Sequence, residues 1–191
     1  MSQMRQARAV QLPGREDLLR AARSQFLRTS RVDISSLAAT VGVSRATAYR
    51  WAGDAERLTG EVLADIAEAT FHRSVAEAAG SGADRIVNAM ERGMWLIVES
   101  EPYQAFLRRD PQKALRLAAS KDGPSQGRMI GLHQALLDEE IAAGRLTLAV
   151  DSHTMAYALV RTAESFMYAD LIAGETPNIS QAVTIIRLLL R

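Results

Sequence analysis

Ser44-Arg45-Ala46-Thr47-Ala48-Tyr49-Arg50-Trp51 concentrates the side chains of this protein best suited to chemistry with another molecule. Guanidinium, hydroxyl and phenol groups packed this closely can hydrogen-bond to base edges and phosphate oxygens of duplex DNA. If the segment is a helix entering a major groove, its N-terminal half faces the bases, which assigns base reading to Ser44, Arg45, Ala46, Thr47 and Arg50. Arg45 suits a bidentate contact with guanine, and Thr47 a thymine methyl or a phosphate. Tyr49, Trp51 and Arg31 suit the phosphate backbone. The alternative is a merely solvated helix face, with Tyr49 and Trp51 serving as core.

Two short helices joined by a tight turn would position these groups. Asp33 can cap a helix carrying Leu37, Ala38 and Val41. Gly42 can end it with a positive φ, and Ser44 can cap the next. Leu37, Val41, Val43, Ala48 and Trp51 are apolar where crossing helices must face each other, and Ala38 is small where they approach. These features together make a helix-turn-helix.

The charge is distributed to match. Nine Arg against Glu16, Asp17 and Asp33 give residues 1–53 a net charge of +6, which leaves −5 on the rest of a chain whose total is +1. One end suits phosphate and the other does not. The absence of Cys excludes disulfides and thiolate chemistry. No apolar run is long enough to cross a membrane, and the first eleven residues lack the apolar centre of a secretory signal, so a cytoplasmic location is expected. The arm Met1–Leu12, with Arg5 and Arg8, could enter a minor groove, although disorder in the free protein is the favoured expectation.

Periodicity predicts an all-α chain. Helices are expected at about 15–29, 33–41, 44–51, 54–79, 83–99, 102–109, 111–120, 124–143 and 152–173, with a last one from 177 to the end. Pro102, Pro111, Pro124 and Pro177 stand where first turns tolerate them. A basic arm and DNA-binding domain (1–53) then precedes a ligand-binding and dimerisation domain (54–191), with helix 54–79 shared across the seam.

On Phe26, Leu37-Ala38, Gly42-Val43-Ser44, Thr47, Tyr49-Arg50-Trp51 and Leu58, residues 15–63 resemble the TetR family of transcriptional regulators. The resemblance implies an all-helical homodimer with a DNA-reading N-terminal domain and a divergent ligand-binding C-terminal domain, usually released from its operator by a small molecule. Ala52 stands where the family usually has an aromatic, and Ala55 where a Lys commonly holds phosphate. Thr29-Ser30-Arg31-Val32 lacks the usual Gly, and the Trp51 indole N–H can donate to phosphate in partial compensation. Residues 161–175 are similar to a smaller branch that includes a regulator of quorum-sensing lactone degradation in soil actinobacteria, which suggests an acyl-chain or lactone-like ligand.

A cavity in a helical bundle is built from facing side chains. Candidates are Met94, Trp95, Val98, Phe106, Met129 and His133, then Met155, Leu159, Thr162 and Phe166 as one stripe, each of which could equally be plain core. Glu164, alone in an apolar helix, is either solvent-facing or held by a partner such as Arg161 or Arg92, and it or Tyr168 could touch ligand. A second stripe of Ala156, Val160, Ala163, Met167 and Leu171, with the last helix, suggests contact with a second copy about a twofold axis.

No catalytic residue, cofactor or metal site is expected. The His residues lack ligand-spaced partners, and no Gly-x-Ser-x-Gly elbow, Glu-x-x-His pair or phosphate loop is present. The expected function is a ligand-responsive regulator, a repressor rather than an activator, whose partners are a double-stranded DNA operator, a small-molecule effector and its own copy. The rival readings are a helical-bundle enzyme and a dimeric interaction module that no longer binds DNA.

Overall fold

The computed structural model describes residues 12–121 and 123–191. Its elements are α1 (Arg15–Thr29), α2 (Ile34–Val41), α3 (Arg45–Ala52), α4 (Ala55–Glu77), α5 (Gly82–Val98), α6 (Glu101–Arg109), α7 (Pro111–Ala119), α8 (Pro124–Ala142), α9 (Ser152–Met167), α10 (Ala169–Ala173) and α11 (Ile179–Leu189). Among the described residues no strand occurs, and no helix is long and apolar enough to cross a membrane. Arg5 and Arg8, on which the minor-groove reading of the arm rests, lie outside the described residues.

Local chemistry sets the helix starts. Asp33 accepts from the Ser35 and Ser36 amides at α2, Ser44 from the Thr47 amide at α3, and Asp54 from the Arg57 amide at α4. Asp110, Asp151 and Asn178 do the same for α7, α9 and α11. These caps satisfy amides that a helix start leaves without partners. Gly42 closes α2 at φ 79°, and the amides of Gly42 and Val43 both donate to the Ala38 carbonyl at 3.0 Å. A side chain would make that turn costly.

One apolar cluster runs through the molecule. It joins Leu18, Ala22 and Phe26 of α1 to Leu58 and Val62 of α4, and continues to Leu137 of α8, Leu159 of α9 and Ile186 of α11. α4 packs on α1 near its start and on α5, α7 and α8 further along. At Gly60 an added Cβ would lie 3.1 Å from the Pro124 ring, so glycine lets α4 lie close against the first turn of α8. α6 makes a second connection to the N-terminal helices. Phe106 stands edge-on to Phe26 with centroids 5.7 Å apart, and Arg109 donates to the Ser30 carbonyl.

Two boundaries differ from expectation. The helix expected over 152–173 is interrupted at Tyr168, a buried residue whose hydroxyl bonds to that of Tyr103 at 2.8 Å. The last helix begins at Ile179, because the Asn178 side chain accepts from the Gln181 amide and fixes the start after Pro177.

Candidate functional site

The first candidate surface is the outer face of α3. Ala48 and Ala52 point into the core, which leaves Arg45, Ala46, Tyr49 and Arg50 exposed on the opposite side. Ala52 therefore occupies a fully buried position. Ser44 is exposed and Thr47 half-buried. Their hydroxyls lie 3.0 Å apart, and Ser44 Oγ accepts from the Thr47 amide at 3.1 Å, so the pair is pre-oriented by the cap. Trp51 is half-buried against the core, and its carbonyl accepts from Arg15 Nε. Arg31 is exposed ahead of α2. The Ser35 amide and the Ser36 side chain, with a smaller pull from Arg45, hold the Asp33 carboxyl below its usual range.

Many arginines outside this face are engaged by carboxylates. Arg57, Arg73, Arg85, Arg92, Arg116 and Arg128 each contact a Glu carboxylate. Among the described residues Arg31, Arg45 and Arg50 contact none. Their guanidinium groups face water with all their donors available for phosphate or base edges.

The second candidate is a partly open cavity of about 150 Å³ lined by residues of α4 through α9. Leu63, Phe71, Met90, Met94 and Val160 make its wall largely apolar. Of the residues singled out from the sequence, Met94, Met129, His133 and Glu164 line it, as does Tyr168. The others stand elsewhere. Trp95 is 41% exposed beside Arg92 and Glu99, Phe106 packs on Phe26, and Met155 and Leu159 are buried off the cavity. Val98, Thr162 and Phe166 are half-buried and also lie off its wall. On α9 it is Val160, Ala163, Glu164 and Met167 that face the cavity, mostly the stripe expected to meet a second copy. Apolar on more than one face, α9 carries no periodic signal of which face meets which neighbour.

The polar groups on the wall have distinct environments. Glu164 accepts from Arg161 Nη1 at 2.7 Å, and the same nitrogen donates to the Ala119 carbonyl. Burial nevertheless pushes the Glu164 carboxyl up to about 7, against the pull of Arg161 and Gln126. Burial likewise pushes the Tyr103 phenol up to about 12 and raises that of Tyr168 well above its ordinary value, so both remain neutral. His133 Nδ1–H donates to the Met129 carbonyl at 2.8 Å, its ring lies against Phe71, and burial lowers its basicity. Ser125 Oγ, on the first turn of α8, is buried with no partner. Sequence reasoning did not find Ser125 or Tyr103. A lone serine carries no pattern, and the tyrosine pair is separated by 65 residues.

Comparisons with known proteins agree with this architecture. A family model for the C-terminal domain of tetracyclin repressor-like proteins matches residues 81–191. Among solved structures, the chain is similar to the R. erythropolis transcriptional repressor QsdR from the TetR family, with 32% identity over 92% of this chain and 93% of that one and a TM-score of 0.85. A TetR-family transcriptional regulator from Rhodococcus sp. shares 19% identity over 93% of this chain and 98% of its own, with a TM-score of 0.60. Salmonella enterica GusR shares 19% identity over 95% and 97%, with a TM-score of 0.53. These last two show the fold alone. No curated protein matches the chain significantly. The family model covers more than half of the chain and the QsdR similarity nearly all of it, and the protein accordingly belongs to the TetR family of transcriptional regulators.

Proposed function

We propose that this regulator is a homodimeric repressor that reads a double-stranded DNA operator with α3 and lets go when a small apolar, acyl- or lactone-like effector fills the cavity. The observation that carries the reading is the set of exposed, unpaired Arg31, Arg45 and Arg50 on a unit joined through α4 to a cavity which that same helix helps to line. The division of labour follows the expected domains, 1–53 for DNA and 54–191 for ligand and dimerisation, with α4 belonging to both. The repressor role is carried over from the R. erythropolis relative, and action in the cytoplasm follows from an operator as partner.

Base contacts fall to Ser44, Arg45, Ala46, Thr47 and Arg50, and phosphate contacts to Arg31, Tyr49 and Trp51. Two copies are needed because recognition helices must reach major grooves one turn apart, roughly 34–36 Å, or a multiple of that. Tyr157, Ile185 and Leu188 leave an exposed apolar face on α9 and α11, which supports dimerisation there. Release is a population shift. Effector binds better to a conformer in which α4 has swung and the reading heads are wrongly spaced, and its differential affinity sets the size of the effect.

The test is a gel-shift titration with the chain's own promoter region against unrelated genomic fragments. Sequence-selective binding that weakens steeply with salt is expected. Equal binding to every fragment at modest ionic strength, with or without added metabolites, overturns the reading. So does one recognition-helix separation shared by effector-free and effector-bound dimers, as far as the release mechanism is concerned.

A further inference from the structure

Among the described residues one buried side-chain polar atom has no partner, and it stands on the cavity wall. Ser125 is 5% exposed, and its Oγ makes no hydrogen bond although a hydroxyl can both donate and accept. Protein interiors rarely leave such a group unsatisfied, because the desolvated hydroxyl loses its bonds to water and gains nothing. Glu164 lines the same cavity, and Gln126, the neighbour of Ser125, helps to hold its carboxyl. The rest of the wall is largely apolar, and several of its polar groups are already engaged: the Thr70 and Ser74 hydroxyls bond to carbonyls one turn back in α4, and the Tyr103 and Tyr168 hydroxyls bond to each other.

We propose that the cavity takes an uncharged, compact molecule whose carbonyl or hydroxyl oxygen hydrogen-bonds with Ser125 Oγ beside Glu164, and that it rejects carboxylates and ammonium ions of similar size. The proposal rests on the reading of the cavity as the effector site and specifies its chemistry. Three observations select it. The orphaned hydroxyl calls for an oxygen-bearing head. The charged groups at the head end already answer each other, since Arg161 lies 2.7 Å from Glu164, while Tyr103, Tyr168 and His133 stay neutral. An ion of either sign would have to give up its hydration against a largely apolar wall, with Arg161 and Glu164 already engaged with each other. Finally, a volume of about 150 Å³ matches apolar cavities that hold one molecule of benzene's bulk, so the body of the ligand is small in this conformation.

The experiment uses the full-length protein and five probes of one ring size: cyclohexanone, cyclohexanol, cyclohexane, cyclohexanecarboxylate and cyclohexylammonium. Affinities are read by NMR titration at neutral pH on the natural chain and on Ser125→Ala. Cyclohexanone and cyclohexanol should bind about tenfold more tightly than cyclohexane, and the two ions should not bind. In Ser125→Ala, which deletes only a hydroxyl without a partner, that advantage should vanish while cyclohexane affinity is unchanged. Equal affinity for ketone and hydrocarbon, preference for the ammonium ion, or no binding of any probe overturns the proposal. A gel-shift in the presence of the bound ketone tests the underlying reading separately. If the ketone binds through Ser125 and the operator complex persists, the head site stands and the effector role of the cavity falls.

Discussion

Glu140 and Glu164 are both buried carboxylates on long helices, and they end in opposite states. Glu140 accepts from the Gly82 amide at 2.7 Å, from Arg85 at 2.5 Å and from Arg145 at 2.7 and 3.1 Å, and with Arg145 as the strongest influence its carboxyl is held down at about 2. Glu164 has Arg161 and an apolar cavity, and burial lifts it to about 7. The first cluster is closed. Its lone pairs are used inside the fold, where they fasten the start of α5 to the end of α8. The second is open, with an orphaned hydroxyl on the same wall. Complete hydrogen bonding lets a buried carboxylate hold the scaffold as an anion, whereas with fewer partners the cost of burial dominates. Arginines divide in the same way, since Arg85 is closed by two glutamates while Arg45 and Arg50 stay open toward solvent. An open charge in water is cheap to keep, whereas an open polar atom in a cavity is not.

The largest effect should come from opening the closed cluster. Glu140→Ala leaves Arg85, Arg145 and the Gly82 amide without their shared acceptor and should cost about 2–3 kcal/mol in denaturant unfolding. A fully buried pair would cost more, but Arg145 keeps contact with water. A loss below about 0.5 kcal/mol would show that the cluster is ornamental and the comparison empty. Next comes an open group. Arg45→Ala should leave thermal stability unchanged and weaken operator binding by about 1–3 kcal/mol, mostly at one base position. Equal weakening on all sequences would move Arg45 to the phosphate class.

The two carboxylates also predict opposite limbs of a stability-pH profile. Glu164 is raised above the ordinary Glu value of 4.5, so the folded state binds the extra proton between 4.5 and about 7, and stability falls as pH rises through that window. Glu140 is lowered to about 2, so its contribution is complete above 4.5 and is lost as pH falls toward 2. Asp33, Glu77 and Asp151, also lowered, steepen the acid limb. Glu164→Gln should flatten the limb between 4.5 and 7 by on the order of 1–2 kcal/mol and spare the acid limb. An unchanged profile in Glu164→Gln would place its carboxyl in a wetter setting than the cavity.

How far the sequence could be read follows from how local each cause is. Asp33, Gly42, Ser44 and Ala48 meet their capping, turn and packing requirements within sixteen residues, so the helix-turn-helix was legible down to single side chains. The cavity depends on which faces of separate helices meet, and sequence holds that only weakly. Met94 and Trp95 are adjacent and point about 100° apart, which suffices to put one on the wall and the other in solvent. Phe106 looked like a cavity aromatic, yet its edge-on partner is Phe26, eighty residues earlier. Glu164 was visible because an acid in an apolar helix must be explained. Ser125 was not, because its lack of a partner exists only once α8 is placed against α4 and α9.

The smallest effect concerns a closed group in the backbone. The link between α1 and α2 lacks glycine, and Ser30 takes the left-handed conformation there at φ 57°, the one described non-glycine residue with positive φ. Its amide bonds to the Phe26 carbonyl, and its own carbonyl accepts from Arg109, so the turn is held at both ends. A serine costs more than glycine in that conformation, although glycine also gains freedom in the unfolded chain. Ser30→Gly should therefore raise stability by less than about 1 kcal/mol, a shift of about 2–4 °C at most in thermal unfolding. Because the variant keeps the carbonyl that Arg109 holds, operator binding should not change. Destabilisation would mean that the Ser30 side chain, 8% exposed, contributes more by packing than its backbone loses by strain.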